Sequence, residues 1–145
     1  MSSEHKKVDN SVLKDYTVQE MLIKIYNILF RYWGPQHWWP AESEFEMIVG
    51  AILTQNTSWT SVQKAIKNLK EADLLSVEKI LNISDDVLSE LIRPSGYYNQ
   101  KAKRLKDFCY FLKSHYDGRI DKLFELPLEK LREVLLSQNG IGFET

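Results

Sequence analysis

The chain is poor in the residues that build covalent or metal frameworks. Its 145 residues include one cysteine, Cys109, and three histidines. A single thiol closes no internal disulfide and supplies no multi-cysteine metal site. Long apolar runs are also missing. Ile48-Val49-Gly50-Ala51-Ile52-Leu53 is representative of the longest, far short of the roughly 20 residues that cross a bilayer. Residues 1–10 are polar and lack the apolar core of a secretory signal. The expected compartment is therefore a reducing cytoplasm, with no membrane partner. Nor is there an excess of one charge: 19 basic and 20 acidic side chains leave a formal net charge of −1, which excludes a polybasic, histone-like binder. What is present is apolar and aromatic content, 43% and 12% of the chain. That is too much for a disordered polymer, at a length that supports one domain.

Apolar residues recur at three- and four-residue spacing, the signature of amphipathic helices. Behind a polar arm of residues 1–17, Val18, Leu22, Ile25 and Leu29 predict a helix over 18–32, ended by Gly34-Pro35. Ser43 and Glu46 form a capping-box pair at the start of the next helix, whose apolar face is Phe45, Ile48, Val49, Ile52 and Leu53. Thr57-Ser58 caps a third, carried by Trp59, Val62, Ile66 and Leu69. Short helices over 76–81 and 84–92 follow, before the break Arg93-Pro94-Ser95-Gly96. A long helix over 99–116 buries Ala102, Leu105, Cys109, Leu112 and Tyr116, and Gly118 stops it. Pro127 opens the last helix, which runs through Leu128, Leu131 and Leu135 to Asn139-Gly140. No segment alternates with period two, so the fold class is all-α, about seven helices without a sheet.

The near-neutral total conceals a reversal. Residues 71–92 carry six acids against one lysine, a net −5, whereas residues 93–106 carry five bases and no acid. A basic segment with Gly, Ser, Asn and two tyrosines suits phosphate contact, and equally a solvated helix face. Three further segments each admit a chemical and a plain structural reading. Gly140-Ile141-Gly142 after a helix is the first half of a helix–hairpin–helix, with Ile141 plugging the core and backbone N–H groups turned toward a phosphate; it is also an ordinary glycine helix stop. His37-Trp38-Trp39-Pro40 and Trp59 put aromatic faces in and beside a loop, where they can stack on a nucleobase, a cationic one above all, or cover the edge of the bundle, as Trp33 does equally well. Leu53-Thr54-Gln55-Asn56-Thr57 offers compact polar groups that can fill the gap left by an extruded base, or simply make a capped turn.

Taken together, Leu53-Thr54-Gln55-Asn56-Thr57, the run from Arg93-Pro94-Ser95-Gly96-Tyr97-Tyr98 through Asn99-Gln100-Lys101-Ala102, and Gly140-Ile141-Gly142 stand in the order and spacing of the helix–hairpin–helix (HhH-GPD) DNA glycosylases. Over residues 18–145 the chain resembles their endonuclease III-related branch, and with Trp38-Trp39-Pro40 its bacterial 3-methyladenine glycosylases. The resemblance implies a six-helix-barrel lobe over residues 43–139. Residues 18–42, a helix and an aromatic loop, would pack on a second lobe, and 140–145 would be an incomplete hairpin. It implies double-stranded DNA with a damaged base as the partner, bound by a monomer in the nucleoid of a bacterium or archaeon. Gln55 would wedge into the vacated stack beside Asn56, and Trp38, Trp39, Pro40 and Trp59 would line the base pocket. Gly140, Gly142 and Thr145 would hold the DNA backbone, and Asn99, Gln100 and Lys101 would stabilise the barrel with a phosphate contact.

Glu144 occupies the position of the lysine nucleophile in family members that also cut the strand. A carboxylate forms no Schiff base, so hydrolysis of an alkylated purine is expected. A lyase for pyrimidine lesions and a non-catalytic DNA-binding module are the alternatives. The family's catalytic aspartate and the iron–sulfur cluster of some members fall downstream of the hairpin. The expectation is therefore an N-terminal fragment, inactive alone, with no cofactor of its own.

Overall fold

Small polar residues set the starts of most helices. Thr17, Ser43, Ser58, Ser76 and Ser84 each accept a hydrogen bond from the backbone N–H three residues on, satisfying a donor that the first turn leaves free. The computed structural model describes residues 17–36 and 39–145. The polar arm of residues 1–16, together with His37 and Trp38, lies outside them. The elements are α1 (Val18–Trp33), α2 (Glu44–Leu53), α3 (Trp59–Glu71), α4 (Val77–Asn82) and α5 (Asp85–Leu91). After a 3-10 turn (Arg93–Ser95) come α6 (Tyr98–Tyr116), α7 (Ile120–Phe124) and α8 (Leu128–Leu136). The described residues contain no strand and no helix long and apolar enough to cross a membrane. The fold is all-α.

The chain divides into two compact units, residues 1–38 and 39–145. In the first, Thr17 and Glu20 close a reciprocal capping box on α1, and no residue of that helix is buried. Tyr26 stacks on Phe30, ring centroids 5.7 Å apart.

The second unit is organised by α6, against which α2, α4, α5 and α7 pack, while α3 lies on α2, α5 and the 3-10 turn. Val49, Ile52 and Leu53 of α2 meet Val62 and Leu69 of α3, Ile80, Leu88 and Ile92, and Leu105, Cys109 and Leu112 of α6 in one core. Burying an aliphatic side chain of this size stabilises by roughly 1.5–3 kcal/mol. The same burial pushes the Cys109 thiol up to about 12, with Lys106 acting weakly the other way, so it is a neutral core group. Among the described residues no cluster of His, Cys, Asp and Glu could hold a metal. One inert thiol does not make an iron–sulfur ligand set.

Three expectations need correction. The seven predicted helices become eight α-helices and a 3-10 turn among the described residues; α7, five residues long, is too short to show a periodic stripe. Leu128, assigned to the core face of α8, is 77% exposed: it opens the helix, and contact with the core begins one turn on at Leu131 and continues at Leu135. Tyr116, assigned to the buried stripe of α6, is only partly buried.

Candidate nucleic-acid interface

The turn between α2 and α3 and the segment after α8 meet across an open cleft of about 840 Å³. It is lined by Trp39, Ala51, Thr54, Gln55, Asn56, Arg104 and residues 140–145. The turn forms because α2 ends at Leu53, where Thr54 returns its hydroxyl to the Gly50 carbonyl (2.6 Å), and Asn56 takes a left-handed φ of +53°. Asn tolerates that region better than most side chains.

Gln55 is the hub. Its Nε2 donates to the Gly140 carbonyl at 2.6 Å and to Thr145 Oγ1 at 3.0 Å, and its Oε1 accepts from Arg104 Nη1 at 2.7 Å. Thr145 Oγ1 also accepts the Gly142 N–H at 3.2 Å. That N–H is thus occupied within the segment rather than turned outward. The two glycines are not equivalent. Gly140 has φ +82°, and a Cβ there would fall 2.5 Å from Cδ of Arg104; Gly142 has open space around it. Ile141 is partly buried against the core, as a hairpin plug should be.

The expected base-pocket residues separate. Trp39 lines the cleft, whereas Pro40 and Trp59 line a smaller pocket of about 220 Å³ with Glu46, Ile66 and Lys70. The rings of Trp39 and Trp59 touch, centroids 5.4 Å apart and tilted by 58°, over the place where Gly50 leaves room in α2. Trp59 therefore backs Trp39. Trp38 lies outside the described residues.

Lys101 also requires correction. It is 1% exposed, and its ammonium donates to the carbonyls of Leu53 (2.8 Å) and Ser95 (2.6 Å). A head held there makes no phosphate contact. Burial, and secondarily the nearby Arg104 charge, lower its pKa. The placement was readable: Lys101 stands four and eight residues before Leu105 and Cys109, on the buried stripe of α6.

Nor is the rest of the basic segment an open cationic face. Arg93 pairs with Glu90 at 3.3 Å and Lys106 with Asp85 at 2.6 Å, and Lys106 also donates to the Ile83 carbonyl. The acidic and basic segments largely neutralise each other. The burial of one acid, and its ion pair, escaped the sequence reading. Glu46, 3% exposed, accepts from the Glu42 N–H and pairs with Lys70 at 2.9 Å, so its carboxylate reaches one residue beyond the capping box expected with Ser43. The hydrogen bond that Lys70 donates to the Glu46 carboxylate raises the Lys70 pKa. Residues 24 apart in sequence gave no local signal of that pairing.

The chain is similar to known proteins. Residues 49–133 match the family model described as HhH-GPD superfamily base excision DNA repair protein. A Methanocaldococcus jannaschii protein assigned as a DNA repair glycosylase is 54% identical over 128 residues, covering 87% of this chain and 58% of the relative. Endonuclease III of Rickettsia felis is 31% identical over 104 residues, covering 72% of this chain and 45% of its own length. The crystal structure of Helicobacter pylori 3-methyladenine DNA glycosylase bound to 1,N6-ethenoadenine matches with a TM-score of 0.66 at 38% identity, over 86% of this chain and 59% of that one. The chain thus spans less than three-fifths of the length of these relatives.

Proposed function

The chain belongs to the HhH-GPD superfamily of base excision DNA repair proteins, and from that premise we propose that its cleft receives a damaged base, an alkylated purine, turned out of double-stranded DNA for hydrolysis of its N-glycosidic bond. The observation that carries this reading is the convergence of Trp39, Gln55, Asn56 and residues 140–145 on one opening, from positions separated by up to 106 residues. Trp39, backed by Trp59, supplies an aromatic face for the base; Gln55 and Asn56 supply the polar groups for the vacated stack; the segment 140–145, less the N–H groups of Ile141, Gly142 and Thr145 that are bonded within the chain, supplies backbone for a phosphate.

An N3-alkylated purine is a cation. Stacking on tryptophan favours it by about 0.5–2 kcal/mol through the ring quadrupole. It also leaves readily without a proton donor, and the cleft supplies few: Arg104 and Glu144 are the charged side chains among its lining residues. No lysine is among them, which favours hydrolysis over Schiff-base chemistry. Water activation needs a carboxylate beside the sugar, and we assign that task to the family's aspartate downstream of the hairpin.

The test is base release from methylated duplex DNA. It is run on this chain and on this chain joined to the C-terminal remainder of the M. jannaschii relative. We expect the joined protein to release 3-methyladenine with no borohydride-trapped adduct, and Trp39→Ala to slow release at least tenfold. Borohydride trapping on an oxidised-pyrimidine duplex, without methylpurine release, would overturn the assignment in favour of a lyase.

A further inference from the structure

We propose that Arg104 is a positioning residue: it fixes the side-chain amide of Gln55, and through it holds residues 140–145 to the α2–α3 turn so that both meet DNA as one edge. The proposal rests on the reading of the cleft as a DNA groove. Its geometry stands independently.

A guanidinium only donates hydrogen bonds, so the Gln55 oxygen must face Arg104 and the Gln55 NH2 must face the opposite side. On that side are two acceptors, the Gly140 carbonyl and Thr145 Oγ1, at 2.6 and 3.0 Å. Arg104 and the Gly140 carbonyl hold the amide in the same sense, one from each side. Turned over, it would set its oxygen against the Gly140 carbonyl. The chain of donors thus runs from Arg104 to Gln55 and on to the segment after α8, joining positions 49 and then 85 residues apart.

The stem of Arg104 restrains the same segment a second way. Its Cγ and Cδ lie where a Cβ on residue 140 would be, at 2.8 and 2.5 Å, so the Gly140 backbone rests directly on the arginine. One side chain of α6 therefore grips the turn with its head and the hairpin with its stem. Two loops ordered before binding do not have to be ordered by it, which strengthens association without adding a contact.

The test uses the whole 145-residue chain. In its NMR spectrum the Gln55 side-chain amide should give two well-separated, slowly exchanging protons. Arg104→Met keeps the stem on Gly140 and removes the donor, and should move that pair toward the positions of a free glutamine amide and speed its exchange with water. Arg104→Lys should preserve it, because the contact is a single N–H···O rather than a bidentate one. In anisotropy titrations with a duplex carrying a tetrahydrofuran abasic analogue, Arg104→Met should weaken binding about tenfold, the factor one charge-assisted hydrogen bond supplies. In a Gln55→Ala background the same change should cost less than twofold, since the group it positions is gone. Unchanged Gln55 signals in Arg104→Met overturn the proposal. So does an equal loss of binding in the Gln55→Ala background, which is the behaviour of a direct phosphate contact. If the unaltered chain binds no duplex, the DNA reading of the cleft fails, while the amide signals still decide whether the clamp exists.

Discussion

Lys101 shows how one side chain changes meaning with its surroundings. In the sequence it belongs to a run of five bases; in the fold its ammonium closes two carbonyls. Leu53 is the last residue of α2, so its carbonyl is one that the helix itself leaves without a partner. A cation at that C-terminus also answers the negative end of the helix dipole. Ser95 ends the 3-10 turn, and its carbonyl has the same need. Lys101→Met keeps the aliphatic length and abandons both carbonyls, and should destabilise the protein by roughly 2–4 kcal/mol. The pH dependence follows from the lowered pKa. Between the folded value and the ordinary lysine value, about 10.4, the unfolded chain binds the additional proton, so this group makes stability rise with pH across that window. Urea titrations of the two proteins from pH 8 to 11 should show the stability gap widening in favour of the unaltered chain and levelling above the window. A gap that narrows with rising pH would mean the ammonium is not desolvated.

At the scale of elements, α2 carries the site, and Gly50 is the residue that lets it. It is buried in the middle of the helix, with Trp39, Ile66 and Trp59 crossing over it. A Cβ there would stand 3.5 Å from the first two and 3.7 Å from the last, ordinary contact distances. Gly50→Ala should therefore gain the helix propensity difference, about 0.8–1 kcal/mol, and leave tryptophan fluorescence unchanged. Gly50→Leu has no such room, and should displace Trp39 and shift the emission maximum; equal spectra for the two variants would refute the packing. Much of α2 was legible beforehand, since Ser43 and the stripe Phe45, Ile48, Val49, Ile52 and Leu53 are local signals: Ser43 caps the first turn and four of the five apolar residues are buried, with Ile48 partly so. The same holds for the cap of α3, where Ser58 of the expected Thr57-Ser58 pair closes the first turn. Pairings that depend on distant chain were not legible: Glu46 with Lys70, and Gln55 with Gly140 and Arg104. Local spacing brought the candidate segments to notice, but which of them touch is a property of the packed core. That is why Trp39 lines the cleft with Gln55 while Trp59, read beside it as part of one pocket, lines the smaller pocket with Pro40.

Over the molecule as a whole, the reversal from net negative to net positive along residues 71–106 is resolved by folding. The helices α4 and α5 lie against α6, bringing Asp85 to Lys106 and Glu78 to Lys113, while Arg93 turns back on Glu90. Exposed pairs of this kind add little stability, about 0–1 kcal/mol each; their larger effect is to leave fewer cations free for a polyanion. Lys101 is buried and Arg104 is committed to Gln55, so of the five bases only Lys103 is both exposed and without a recorded partner among the described residues. Duplex binding should therefore depend on this segment through a single phosphate contact rather than five. Lys103→Glu should make the slope of log K against log salt shallower by about 1–2, since each neutralised phosphate contributes about 0.9. Lys106→Glu removes the pairing with Asp85 and the bond to the Ile83 carbonyl, and should lower the melting temperature while leaving the slope in place. Titrations between 50 and 300 mM salt separate the two effects. An equal change of slope from both substitutions would mean that Lys106 leaves Asp85 for DNA, and that the charge pairing between α5 and α6 is broken on binding.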